Sequence, residues 1–199
     1  KISRMARKKD QTEERIVAVE EALTRTERFI EDNQRILGII VAAIAVVVLG
    51  YFAFQRYYMA PRQTEAAAQM FMAEKYFEKD SLNLALNGDG NYPGFLDIID
   101  DYGMTKSGNL AHYYSGICYL RMGQYEEALD HLKSFRKKDL LVSSMAISAT
   151  GDCYMELNEP ERAAGYYEDA ADLNANDLTS PQFLLKAGWA WELAGDYGR

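Results

Sequence analysis

Two cysteines and two histidines are the side chains of this 199-residue sequence best suited to redox, nucleophilic or metal chemistry, and their spacing speaks against each. Cys118 and Cys153 belong to no Cys-x-x-Cys pair, so by spacing they form neither a zinc-ligand set nor a disulfide framework. They recur at one position of a helical repeat. Equivalent positions in stacked helices lie about 8–10 Å apart, beyond the ~7 Å Cα separation that a disulfide tolerates, so two free, buried thiols are expected. His112 stands beside Tyr113 and Tyr114, and His131 follows Asp130. No serine or cysteine with a carboxylate recurs around either histidine, so both are read as packing or surface residues. A zinc site would need an unusual carboxylate-rich ligand set. These residues point away from an enzyme, and no catalytic residue, metal, cofactor or small-molecule substrate is assigned.

The elements that must carry them repeat. Residues 116–128 read GICYLRMGQYEEA, residues 151–163 read GDCYMELNEPERA, and a third copy starts at Gly188 with GWAWELAGDYG. Gly116, Gly151 and Gly188 stand 35 and 37 residues apart, each followed three positions later by an aromatic: Tyr119, Tyr154, Trp191. In a two-helix unit the glycine permits close approach and the aromatic fills the space between helices. Gly123, Asn158 and Gly195 fall where a residue tolerant of left-handed geometry ends the first helix. Ala128 and Ala163 let the second helix cross closely. Such units bury an apolar face only by stacking on neighbours. An earlier pair, at 63–86 and 95–101, is divided by the turn-forming NGDGNYPG at 87–94. It reads as a degenerate first unit within residues 61–102, with Pro61 in its leading turn.

Ahead of the repeats, residues 36–54 read ILGIIVAAIAVVVLGYFAF, an uncharged run that at ~1.5 Å per residue matches a ~30 Å hydrocarbon core. A cleaved signal peptide has a shorter apolar run and a small-residue cleavage site, whereas Gln55, Arg56, Tyr57 and Tyr58 follow here. The segment reads as one uncleaved anchor. Gly38, Ala42 and Ala45 share a face that could meet another membrane helix, and Tyr51, Phe52, Phe54, Tyr57 and Tyr58 suit an interfacial belt. Residues 1–35 carry 9 basic and 8 acidic side chains, with Ile16, Val19, Leu23, Thr26 and Ile30 forming an apolar helical stripe. The basic residues of this tail place it in the cytoplasm. Residues 55–199 hold 13 basic and 22 acidic side chains, a formal charge of −9 that repels phosphate and disfavours a nucleic-acid partner. The start at Lys1 and the stop within the third copy suggest a fragment.

From Asn109 to the end, residues 109–199 resemble the tetratricopeptide repeat family. They depart from it in lacking the proline that ends its repeat, where Leu140 and Ala175 stand, and in a period slightly above its usual ~34 residues. The longer period suggests inter-repeat loops at 137–139 and 174–181. The resemblance implies an all-α fold, a single N-terminal transmembrane helix followed by a right-handed tetratricopeptide-type α-solenoid. The family's binding positions on the concave face carry over to Tyr113, Ile117, Leu120 and Arg121, to Ser148, Asp152, Met155 and Glu156, and to Leu185, Trp189 and Glu192. The basic-plus-asparagine clamp that some members use for a terminal carboxylate is absent. What remains is apolar and acidic, suited to an extended or helical protein segment with hydrophobic anchors and positive charge. Tail, anchor and repeats containing GICY and GDCY are together similar to the YfgM-type envelope proteins and their Bacteroidota relatives. That likeness implies a single-pass protein of the bacterial inner membrane with periplasmic repeats, touching the lipid bilayer and either Sec translocon subunits or a membrane-anchored chaperone. The competing expectation is a structural oligomer, held by tail and anchor, in which the repeats are a spacer.

Overall fold

The computed structural model describes residues 31–136 and 139–198. The apolar stripe expected at 16–30 lies outside them. Every regular element among the described residues is helical, in agreement with the all-α expectation, and the chain divides into two compact units, 1–56 and 57–199.

In the first unit, α1 (Gln34–Ala53) buries no residue along its length. It opens the one helical stretch among the described residues that is long and apolar enough to cross a membrane. Open space surrounds the positions where Gly38 and Gly50 lack a side chain. A π-helical segment, Phe54–Met59, follows in sequence.

The second unit begins with α2 (Ala60–Glu78), where Pro61 occupies the first turn, a place that needs no backbone N–H. The helix expected to reach residue 86 stops at Glu78. Asp80 takes a left-handed φ of 58°, and the chain re-enters as α3 (Leu82–Asn87); a short acidic side chain tolerates that geometry better than most. The glycine-rich turn is held by Asp89, whose carboxylate accepts from the Asn91 and Tyr92 amides at 2.9 and 2.8 Å and from the Tyr76 hydroxyl at 2.7 Å. After it comes α4 (Phe95–Tyr102), and α2 to α4 close on the first core with Met70, Leu86, Phe95, Ile98 and Cys118. Phe95 lies flat on Tyr114 with centroids 5.0 Å apart.

Two helical hairpins follow, α5 (Lys106–Arg121) with α6 (Tyr125–Ser134) and α7 (Leu140–Glu156) with α8 (Pro160–Leu173), then α9 (Ser180–Ala194). Each packs on the next. Thr105 Oγ1 accepts from the Gly108 amide at 3.0 Å and Asp139 Oδ1 from the Val142 amide at 2.9 Å, satisfying first-turn donors that have no partner within α5 and α7. Gly123, Asn158 and Gly195 end α5, α7 and α9 at φ of 76°, 59° and 83°. A Cβ on Gly116 would sit 2.6 Å from Leu132 Cγ, and one on Gly151 would sit 2.7 Å from Tyr167 Cε1, so at both glycines the paired helices leave no room for a side chain. A Cβ on Gly188 would meet nothing within 4 Å. Ala128 and Ala163 are fully buried, and the second core gathers them with Leu132, Phe135, Cys153, Tyr154 and Tyr167. Pro181, expected in a loop, lies in the first turn of α9 instead, for the same reason as Pro61.

Candidate partner-binding face

The residues carried over from the family divide by environment. On α5, Tyr113, Ile117 and Leu120 are half-buried and pack against the second core. The Tyr113 ring lies 6.1 Å from Phe135 and 5.6 Å from Tyr114, and burial pushes its phenol pKa up. Arg121 turns toward α2: its guanidinium stands 4.8 Å from the centroid of Phe77 and 3.6 Å from Asp80. On α7, Ser148 is buried and Met155 half-buried.

Asp152 is matched within the chain. Its Oδ1 accepts from the Tyr167 hydroxyl at 2.7 Å and from Lys186 Nζ at 2.8 Å, joining α7 to both α8 and α9. Burial, and then the bond to Asp152, push the Tyr167 phenol pKa far up. An acid expected to face a basic partner thus already has a cation. Glu156 stays exposed and accepts from the Tyr125 hydroxyl at 3.1 Å.

The α9 residues are the exposed ones. Leu185 and Trp189 are 54% and 56% exposed, with Glu192 also open to solvent. Leu193, one turn beyond Trp189 and 69% exposed, continues the row. It was not among the expected positions, although the spacing 185, 189, 193 is that of one helix face. A cavity of about 410 Å³ opens between the starts of α5 and α7, walled by Leu110, Phe135 and Val142 with Asn109 and Arg136 at its rim. It was not legible in the sequence, because its lining joins α5 and α7 to the segments that precede each of them.

Of the repeat-defining aromatics, Tyr154 is buried under the Arg162 guanidinium, 3.9 Å from its centroid, and accepts from Lys133 Nζ at 3.0 Å. Tyr119 is half-buried over His131, and Trp191 donates to Glu168 Oε1 at 2.8 Å. The two thiols are free and buried, Cys118 in the first core and Cys153 in the second. Burial pushes each up to about 12, so neither offers a thiolate near neutral pH. No group of three or more histidine, cysteine or acidic side chains is gathered for a metal ion among the described residues.

No curated protein matches this chain. Residues 110–139, which run from the second turn of α5 through α6 to the residue before α7, match the family model described as tetratricopeptide repeat. With the paired helices on either side of that stretch, the fold of the second unit is an all-α solenoid of tetratricopeptide type, in a chain whose α1 is long and apolar enough to cross a membrane.

Proposed function

We propose that this protein is a non-enzymatic, membrane-anchored adaptor that binds a protein segment along its repeats. Tetratricopeptide repeats serve in binding other proteins, and the observation that carries the reading here is the tetratricopeptide match over residues 110–139 within the stacked hairpins, with Leu185, Trp189 and Leu193 on one face of α9 as candidate anchors. Large apolar side chains spaced one turn apart suit the anchors of a helical or extended segment. The likeness of the whole sequence to YfgM-type envelope proteins supports an inner-membrane location, a cytoplasmic tail and periplasmic repeats. It also favours translocon subunits or a membrane-anchored chaperone as the partner.

The test is copurification in mild detergent, followed by mass spectrometry of what elutes with the wild-type chain and with Leu185→Ala/Trp189→Ala. Each truncation should weaken capture by ~1–3 kcal/mol, the range of interface hot spots, with unchanged melting. A partner retained in full by a well-folded double variant would remove this row from the interface. Self-association at low concentration without any bound partner would favour the spacer reading.

A further inference from the structure

The two histidines that the sequence leaves unconnected meet inside the first hairpin. His112 of α5 and His131 of α6 approach with their Nδ1 atoms 3.3 Å apart and ring centroids 5.5 Å apart, both half-buried. The repeat shows what position they occupy. One period of 35 residues on, the equivalent pair is Ile147 and Tyr166, and Ile147 is buried in an apolar cluster that Tyr166 packs against. The match extends to the neighbouring ring: Tyr119 stacks on His131 at 5.3 Å and 19°, as Tyr154 stacks on Tyr166 at 5.2 Å and 23°. An apolar seam in one hairpin is a pair of titratable rings in the other.

We propose that the His112–His131 pair is an acid-sensitive latch between α5 and α6, closed while the pair shares a single Nδ1 proton and opened when acid adds a second. With one such proton, one ring donates to the other. With two, both Nδ1 atoms are donors facing each other, the bond is lost and two positive rings are held together in a half-buried seam. Two ring nitrogens without further ligands make a proton the better-suited occupant than a metal ion.

The surrounding groups act in the same sense or too weakly to reverse it. Burial lowers the pKa of His112, with His131 and then Arg136 adding to the effect; burial lowers that of His131, against a smaller opposing pull from Asp130. On the same helix Lys133 is turned to Tyr154 of α7, at 3.0 Å from its hydroxyl, and Tyr119 covers His131 from α5. A histidine with a depressed folded pKa binds protons more readily in the unfolded chain. The latch therefore contributes fully above the ordinary imidazole value of ~6.5, and its contribution falls as pH drops from there through the lowered folded values.

The experiment compares the full 199-residue chain in detergent with His112→Ile/His131→Tyr, which copies the pair of the second hairpin, by thermal melting between pH 8 and pH 5. The wild-type midpoint should fall with acid by at least twice as much as that of the double variant, since carboxylate titration is common to both. Parallel curves would overturn the proposal. Should the double variant fail to fold, the imidazole titrations of the wild-type chain decide by NMR. Both midpoints below ~6.5 are expected, and either ring titrating at or above that value would overturn the latch.

Discussion

At the scale of single residues, the marker glycine Gly151 gives a sharp test of the hairpin seam. Gly151→Ala should cost roughly 1–3 kcal/mol, because the new methyl would stand 2.7 Å from the Tyr167 ring in a closed seam. Thermal or urea unfolding measures the loss, and a variant as stable as wild type would contradict the contact. Asp152 gives a second case. Its charge could be read from the sequence but its partners could not, for Tyr167 and Lys186 lie 15 and 34 residues away. Asp152→Lys should strip a bond from Tyr167 and set two ammonium groups together, costing about 1–3 kcal/mol of stability. A variant as stable as wild type would show the pairing to be idle.

At the scale of elements, what was legible followed from local chemistry. The left-handed ends at Gly123, Asn158 and Gly195, the proline in the first turn of α2 and the turn at 87–94 are each fixed by a few adjacent residues. The break at Asp80 was hidden because neither glycine nor proline marks it: Lys79, Asp80 and Ser81 leave helical geometry, Asp80 at a φ of 58°. The division of the binding face into packed and exposed members was also hidden. Tyr113 and Leu185 hold equivalent places, three residues before Gly116 and Gly188, yet one meets Phe135 and the other is exposed. Tyr113→Ala should therefore lower the melting temperature, at about 3 kcal/mol as a large-to-small change, whereas Leu185→Ala should leave it within the error expected for a surface change. Helix starts give a smaller test. Asp139→Ala should cost ~1 kcal/mol by freeing the Val142 amide from its cap.

At the scale of the whole molecule, the charge of −9 after residue 55 and the apolar α1 place two contrasting demands on one chain, and the proposed topology meets both by keeping them on separate sides of a lipid boundary. Protease added to intact inverted inner-membrane vesicles should remove only the short tail. Loss of the repeats would reverse the orientation. The distribution of sulfur gives this molecule an internal means of observation. Cys118 sits in one core and Cys153 in the other, each thiol pushed up to about 12 and shielded from reagent. In single-cysteine variants, the rate at which a thiol reagent labels each site becomes a clock for the opening of its own half. Two clocks at one rate would mean that the repeats open together, and two rates would order the halves of the solenoid by how readily each opens.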